Sequence, residues 1–247
     1  MNFFYLNTLN TIQLKNIAEL YAYCNNHDNN IYECFSADDT ADFDAYILSY
    51  DNAVLTGFLM YLRIGGTNEI RGVVHPDYRQ QGIFSKMVQR LKSELNFDDV
   101  IFVGKDNYPG MKKCAVSLGY TFCNHDFLME YNPELFTPDV SKNLDVEFDK
   151  EYSTYYYYLD DISIGACRIY EENYTINIYE VFVEPSYRRL GYGRQIISDV
   201  LWDLVNSGKK IRLHVTENNT AALNLYKSCG FEIKDSIVYY SNNKYII

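Results

Sequence analysis

A basic, glycine-containing stretch in the second half of the chain has the composition of a phosphate-binding loop. It follows an apolar run that stops at Pro185, and it precedes a segment whose apolar residues recur at helical spacing. Glycines let the backbone approach a ligand, and a helix N-terminus offers free N–H groups and a partial positive charge. The pattern therefore predicts an anion site between a strand and a helix, formed by Arg188, Arg189, Leu190, Gly191, Tyr192, Gly193 and Arg194.

The elements that must position this loop are indicated by the spacing of apolar residues on either side of it. In the second half, strands are predicted over residues 154–159, 163–170, 174–183, 211–215 and 231–240, and helices over 191–205 and 221–229. In the first half, strands are predicted over 46–49, 53–63, 69–74, 100–103 and 120–131, and helices over 11–24, 83–95 and 108–118. Residues 31–44 are acidic and are predicted to form a loop or a poor helix, and residues 244–247 a last strand.

The first half of the chain contains a second version of the loop, which indicates an internal repeat. Residues 74–82 match residues 183–191 without a gap, and residues 117–120 match residues 228–231 in the same order. This favours a tandem duplication of one α/β unit. The second copy is shorter, because nothing in it before Thr154 matches the predicted helix at 11–24. Residues 132–144 hold two prolines and several polar residues, and we predict the linker there.

Each copy resembles the GNAT superfamily of acyl-CoA-dependent N-acetyltransferases. Residues 188–193 fit the family's acyl-CoA signature, which reads Arg or Gln-x-x-Gly-x-Gly or Ala. A later family block, N-x-x-A-x-x-L-Y-x-x-x-G-F, is matched by Asn219, Tyr226, Gly230 and Phe231 at the family spacing. The first signature alone occurs by chance, and its specificity comes from the second block at the right distance. The resemblance covers residues 150–240 well and residues 45–131 more loosely.

The resemblance implies that acetyl-CoA is the cosubstrate, that its pyrophosphate lies against residues 188–194, and that no metal takes part. It also implies a cofactor contact from Asn219 and a backbone N–H near Phe182 or Val183 that polarises the thioester carbonyl. The implied fold is α/β, with two tandem GNAT-like domains that are each a mixed, mostly antiparallel sheet flanked by helices.

Tyr226 matches the family tyrosine that stands near the thioester sulfur and serves as general acid. A phenol with an ordinary pKa near 10 keeps its proton at neutral pH, which suits that role. The general base is predicted to be Glu180, on the strand that flanks the acyl group; the alternative is a strand carboxylate that only faces solvent. Glu217 and His214 are weaker candidates for the base.

The first copy departs from the family pattern. It keeps three residues of a possible second CoA site, Val74, Arg79 and Gly82. However, Phe84 occupies the position of the second glycine, and Ala115 stands where the other copy has Tyr226. We therefore predict a degenerate N-terminal domain at residues 1–135, which is structural or only holds CoA, and a catalytic C-terminal domain at residues 136–247.

The composition limits the partners and the compartment. The formal net charge of −11 argues against nucleic-acid binding and favours a cationic acceptor, for which the acidic residues 38–44 are a candidate surface. The six cysteines form no C-x-x-C pair, which predicts free thiols in a reducing cytosol. No apolar run approaches the roughly 20 residues of a membrane helix, and the N-terminus lacks a secretory pattern. We therefore expect a cytoplasmic protein that contacts no membrane.

These observations predict an N-acetyltransferase that moves the acetyl group of acetyl-CoA directly to a primary amine of a small molecule or peptide in a ternary complex. Two alternatives stay open. One is a non-catalytic acyl-CoA-binding or sensing module, and the other is a transferase of a different acyl group on the same fold.

Overall fold

The computed structural model describes residues 1–29, 43–64, 66–97, 99–139 and 144–242. It divides into two compact units: Met1–Asn124 with the C-terminal residues from Ile237, and His125–Ser236. The predictions made for Cys34, for most of the acidic residues 31–44 and for residues 244–247 lie outside the described residues.

The first unit is a mixed sheet with helices on both faces. Its strands are β1 (Asn2–Leu6), β2 (Ala45–Asp51), β3 (Val54–Ile64), β4 (Thr67–Val74) and β5 (Ile101–Lys105), and its helices are α1 (Thr11–Asp28), α2 (Ile83–Leu95) and α3 (Pro109–Ser117). Neighbouring strands from β1 to β4 are antiparallel, and β5 is parallel to β4. The sheet is completed by residues 237–241, which pair with β5 in antiparallel fashion.

The second unit repeats this arrangement with fewer helices. Its strands are the end of β6 (Thr121–Tyr131), β7 (Asp145–Asp149), β8 (Thr154–Leu159), β9 (Ile162–Glu171), β10 (Thr175–Val183), β11 (Lys210–Thr216) and the start of β12 (Phe231–Ser241), and its helices are α4 (Tyr192–Leu204) and α5 (Thr220–Ser228). Strands β7 to β10 are antiparallel neighbours. Strand β11 is parallel to β10, and residues 126–130 of β6 pair with β11 in antiparallel fashion.

Helix α1 is a well-specified element that covers one face of the first sheet. At its start the Asn10 side chain accepts the N–H of Gln13, and the Gln13 side chain accepts the N–H of Asn10. Its apolar stripe, which includes Ile17, packs with Leu48 and Phe58 in one core. The adjacent strand residues Ile47 and Leu59 belong to a different core, with α2. Successive strand side chains point to opposite faces, so α1 and α2 lie on opposite sides of the sheet.

The core of the second unit lies between the sheet and helices α4 and α5. Ile196, Ile197 and Val200 of α4 are fully buried there with Tyr157 and Ile164. The apolar spacing of α4 therefore positions the loop at its N-terminus against β10, as the sequence predicts.

The structure confirms the predicted mixed fold, in which mostly antiparallel sheets are flanked by helices. Strands β1 and β7 are additions to the predicted strands. The order of elements in the second unit repeats that of the first, with one difference. In the described residues of the second unit no helix corresponds to α1, because β7 ends at Asp149 and β8 begins at Thr154.

Residues 132–139 of the segment predicted as a linker pack within the second unit. The N–H of Asn132 donates to the Gly230 carbonyl, the Tyr131 hydroxyl donates to the Phe136 carbonyl, and the N–H of Asp139 donates to Ser198 Oγ. Strands β6 and β12 each start in one unit and end in the other. The compact units therefore differ from a division of the chain at residues 135 and 136.

Candidate active site

The predicted anion site is a loop that begins directly after β10. Pro185–Tyr187 forms one 3₁₀ turn, Arg189 has a φ of 63°, and Gly191 has a φ of 93° and caps α4. Glycine is favoured at such a positive φ. Gly191 has no side chain that can accept the first N–H groups of α4, and these groups have no acceptor within the helix. They can therefore receive the oxygens of an anion.

The three arginines of the loop have different environments. Arg188 donates from Nε to the Val183 carbonyl at 2.8 Å, and its guanidinium lies 5.8 Å from the Phe182 ring centroid. No described carboxylate pairs with Arg188, so its remaining N–H groups face solvent at the loop. Arg194 instead donates to Ser228 on α5 and stacks on Phe136 at 4.7 Å. The Arg194 side chain thus fastens α4 to α5, whereas Arg188 and the exposed Arg189 supply positive charge.

Gly193 is needed for close packing below the loop. A Cβ at Gly193 would lie 3.2 Å from Leu225 Cδ2 and 3.8 Å from Val183 Cγ2. The glycine therefore lets the first turn of α4 approach both α5 and the end of β10. Leu190 and Tyr192 flank this contact; Leu190 is exposed, and the Tyr192 ring packs edge-on against Tyr187.

Strands β10 and β11 separate beside the loop. Residues 175–178 pair with residues 210–213, and beyond them β10 continues to Val183 beside β9. Phe182 faces Ala166, and the N–H of Glu184 donates to the Ile164 carbonyl. The alternation of an antiparallel ladder then directs the N–H of Val183 away from β9, toward the gap between β10 and β11. This is the predicted position for a donor to a thioester carbonyl.

A bulge at Glu180 separates the two parts of β10. The register with β9 shifts between Tyr179 and Phe182, and Glu180 has a φ of 48°. Bulges re-aim side chains in a strand. The Glu180 carboxylate consequently pairs across the strands with Arg168, with Oε2 and Nη1 3.0 Å apart.

Tyr226 lies on α5, in the core of the second unit. Asn219 caps α5 by accepting the N–H of Ala222, and Tyr226 is 7% exposed, with its ring packed edge-on against Phe231. Burial raises the pKa of Tyr226 to about 12. Among the described residues no hydrogen-bond partner is found for its hydroxyl. The phenol is therefore held in its protonated form, with a proton to donate.

A pocket of about 360 Å³ opens on the face of the second sheet that points away from α4 and α5. Arg168 and Glu180 provide its charges, and the other lining residues are Tyr152, Thr154, Tyr156, Ala166 and Phe182. Glu180 and Phe182 come from β10, immediately before Val183. The weaker base candidates lie elsewhere: Glu217 pairs with His125 Nδ1 at 3.4 Å, and His214 is exposed on β11.

The first unit has the same loop geometry but different contacts. Pro76–Tyr78 forms the 3₁₀ turn, Gly82 caps α2 with a φ of 72°, and Arg79 Nε donates to the Val74 carbonyl at 3.0 Å. In contrast to Arg188, the Arg79 guanidinium forms two hydrogen bonds, of 2.8 and 2.6 Å, with Asp28 at the end of α1.

The space between β4 and β5 is also filled in the first unit. Phe84, at the position of Gly193, is 9% exposed, and its ring lies 4.8 Å from that of Phe102 on β5. A Cβ on Gly72 of β4 would lie 3.2 Å from Phe84. Ala115, at the position of Tyr226, is fully buried. The possible second CoA site thus keeps its backbone shape, but its arginine is paired and its cleft is occupied by a side chain.

Two residues that shape the pocket and the first loop give no signal in the sequence. Arg168 and Asp28 belong to no motif, and each pairs with a residue that is distant in sequence. Among the described residues, no group of three or more His, Cys, Asp or Glu is arranged to hold a metal ion. No helix in the part of the chain that the structure describes is long and apolar enough to cross a membrane.

Comparison with known proteins points to one family. Residues 121–231 match the model of the acetyltransferase (GNAT) family. The "Probable N-acetyltransferase san" of Drosophila melanogaster is 36% identical over 85 residues, which are 32% of this chain and 46% of that protein. The chain therefore spans about half the length of this curated relative.

Solved structures share the fold over nearly the whole chain. A GCN5-related N-acetyltransferase from Sphaerobacter thermophilus has a TM-score of 0.78 at 14% identity, covering 97% of this chain and 95% of that one. A tandem GNAT protein from the clavulanic acid biosynthesis pathway has a TM-score of 0.73 at 12% identity, covering 97% of both chains. At such identities the likeness shows the fold, and the similarity to the model of the acetyltransferase (GNAT) family covers residues 121–231.

Proposed function

We propose that the chain is an acyltransferase that moves an acetyl group from acetyl-CoA to a primary amine, at one site in the second unit. The observation that carries the proposal is the opening between β10 and β11, beside which lie the free N–H groups at the start of α4 and the N–H of Val183. Tyr226 of α5, whose raised pKa keeps its hydroxyl protonated, packs in the core of the same unit.

The residues of the loop account for binding of the cosubstrate. The N–H groups of residues 190–193 and the free guanidinium groups of Arg188 and Arg189 suit a pyrophosphate. Asn219 keeps α5 in place through its cap, so its contribution is to position Tyr226. The separated strands leave room for an extended chain beside Val183.

Glu180, Val183 and Tyr226 supply the proton transfers and the charge stabilisation that an acyl transfer needs. The neutral amine nitrogen forms a bond to the acyl carbon, and Glu180 takes the proton that this nitrogen then loses. The N–H of Val183 stabilises the negative charge that develops on the carbonyl oxygen. The carbon–sulfur bond breaks, and Tyr226 donates its proton to the departing thiolate. The products are an amide and CoA with a free thiol.

The direct test is Tyr226→Phe. This change removes the proton donor and retains the ring, so we expect kcat for acceptor-dependent CoA release to fall about 10²-fold or more, with the affinity for acetyl-CoA almost unchanged. CoA release is measured against a panel of amines, and affinity by calorimetry. Tyr120→Phe is the matched control, because Tyr120 is a buried tyrosine of the first unit whose hydroxyl has no partner among the described residues.

The pH dependence of the same variant tests the protonation state of Tyr226. Because burial raises the pKa of Tyr226 to about 12, the phenol stays protonated at every assay pH up to about 10. The ratio of the wild-type rate to the Tyr226→Phe rate should therefore stay constant from about pH 7 to pH 10. A fully active Phe variant would remove Tyr226 from the mechanism, and acetyl-CoA binding without turnover of any amine would favour a sensing module.

A further inference from the structure

The pocket beside Glu180 occupies the face that α1 covers in the first unit. The strand registers show which rows of residues correspond in the two units. In the first unit, one row consists of Leu48, Phe58 and Val73, which lie side by side on β2, β3 and β4. Tyr156, Ala166 and Phe182 form the corresponding row on β8, β9 and β10. In the first unit this row is buried under α1. In the second unit it lines the open pocket.

In the next row, β9 has a charge where β3 has an apolar core residue, whereas β4 of the first unit has Arg71 in that row. Met60 pairs with Tyr46 in the first unit, and Arg168 pairs with Thr154 at the equivalent register in the second. Met60 is 5% exposed in the core under α1. In the second unit no described helix covers this position, and the Arg168 side chain is 34% exposed.

Arg168 has donors that no described residue accepts. Its Nη1 lies 3.0 Å from Glu180 Oε2, and its guanidinium carbon lies 5.3 Å from the Tyr179 ring centroid. Its Nε is buried and without a hydrogen-bond partner among the described residues. Buried donors are normally paired, because an unmade hydrogen bond leaves the cost of desolvation. The guanidinium can therefore donate hydrogen bonds to a planar anionic group of a ligand in the pocket.

We propose that the acceptor of the acetyl group is a small amine that carries a carboxylate close to its amino nitrogen, as an α-amino acid does. This inference rests on the proposed function. Glu180 binds the ammonium group, which loses one proton to solvent before the attack, and Glu180 takes the proton that the nitrogen loses on acylation. The Arg168 fork binds the carboxylate. The rings of Tyr152, Tyr156 and Phe182 provide an apolar surface for the acceptor's side chain.

The charge balance of the pocket favours a zwitterion over a polycation. Its lining contains one guanidinium and one carboxylate, already in contact with each other. A polyamine would pair with Glu180 and would leave Arg168 facing a second positive charge. A zwitterion instead gives each of the two protein charges a partner of opposite sign. The net charge of the whole chain favours a cationic acceptor, and the charges of the pocket restrict this expectation to a zwitterionic amine.

The test compares amino acids with their decarboxylated amines, for example phenylalanine with phenethylamine and leucine with isoamylamine. In the wild-type protein we expect kcat/KM to be about 10- to 100-fold higher for the amino acid, because it gains a charge-assisted hydrogen bond pair. Arg168→Met should remove this difference by raising KM for the amino acid. Arg168→Lys should restore part of it, because lysine keeps the charge and loses the fork.

The control is Arg212→Met. Arg212 also pairs across strands with a glutamate, with Nε 2.9 Å from Glu130 Oε2, and it does not line the pocket. This variant should keep the preference for the amino acid. Any effect of Arg168→Met on Glu180 changes kcat/KM for the amino acid and for its decarboxylated amine alike. It therefore cancels in the ratio of the two kcat/KM values.

The outcomes separate this inference from the proposed function. A wild-type protein that acetylates the decarboxylated amine as well as the amino acid overturns the inference and leaves the transferase intact. If no amine is acetylated, the proposed function fails, and calorimetric titration of the amino acid into the CoA-saturated protein decides the inference. Binding that Arg168→Met abolishes supports the zwitterion pocket, and absence of binding to the wild-type protein overturns it.

Discussion

Glu180 combines a strained backbone with the position proposed for the general base. Its φ of 48° is in the left-handed region, which costs a residue with a side chain about 1–3 kcal/mol. The bulge turns the Glu180 side chain into the pocket, just before Val183. The sequence places Glu180 on this strand and gives no sign of the bulge, because no glycine marks the position. Strain that a fold imposes on an ordinary residue can be read only from the structure.

Two substitutions at Glu180 separate the carboxylate from the backbone. Glu180→Gln keeps the strain and loses the base, so kcat/KM should fall about 10²-fold or more with stability nearly unchanged. Glu180→Gly should reduce kcat/KM by the same factor. Its free energy of unfolding should rise by about 1 kcal/mol, because relief of the backbone strain exceeds the entropic cost of glycine. Steady-state kinetics and denaturant unfolding measure the two effects. Full activity in Glu180→Gln would exclude the base role, and a less stable glycine variant would show that the bulge is not strained.

At the scale of the element, helix α1 accounts for the difference between the two loops. Its last residue, Asp28, has an 8% exposed side chain and pairs with Arg79, whose side chain is 20% exposed. Burial works against the charge of Asp28, but hydrogen bonds from Arg79 and His27 outweigh it, and the pKa of Asp28 is lowered. The Asp28 carboxylate therefore binds Arg79, whereas no described carboxylate pairs with Arg188, its counterpart in the second loop.

We expect Asp28→Ala to lower the free energy of unfolding by about 2–3 kcal/mol, because it removes the two charge-assisted hydrogen bonds between Arg79 and this mostly buried carboxylate. The matched control on the same helix is Glu19→Ala. The Lys15–Glu19 pair is exposed, at 75% and 65%, so its loss should cost less than about 0.5 kcal/mol. Denaturant unfolding at neutral pH compares the two variants.

The stabilisation by Asp28 should also depend on pH. Because the folded pKa is lowered, the contribution is present above the unfolded value of about 4 and is lost as the pH falls through the folded pKa. Equal stability of Asp28→Ala and Glu19→Ala at neutral pH would mean that the pair does not hold α1 on the loop.

Most elements can be predicted from the sequence because their apolar spacing agrees with their burial. The helix predicted at 83–95 has the bounds of α2, and the strand predicted at 154–159 has those of β8. Strand β7 gives no such signal, since its apolar residues Val146 and Phe148 are 46% and 40% exposed. Periodicity reports on burial against a core, so it misses an exposed edge strand that is held mainly by its ladder to β8.

At the scale of the whole molecule, the repeat can be recognised from the sequence but its strand partners cannot. The two loops match residue by residue, and their backbones agree down to the left-handed Gln80 and Arg189, at 63° each. Strands β6 and β12 are also predicted as strands. Their alternating pattern does not specify a partner, and each passes from one compact unit to the other. A division of the chain by sequence position therefore differs from the division into compact units.

The asymmetry between the units predicts how many acetyl-CoA molecules one chain binds. The first loop has a paired arginine and a cleft filled by Phe84, so we expect calorimetry to give one equivalent per chain. Gly82 and Gly191 offer a matched pair of variants, because both cap a helix at positive φ and no described atom lies within 4 Å of the position of a Cβ at either. A glutamate strains both backbones alike and repels a pyrophosphate only where one binds. Gly191→Glu should therefore abolish binding and Gly82→Glu should retain it, whereas two equivalents, or loss of binding in Gly82→Glu alone, would place a cosubstrate in the first unit.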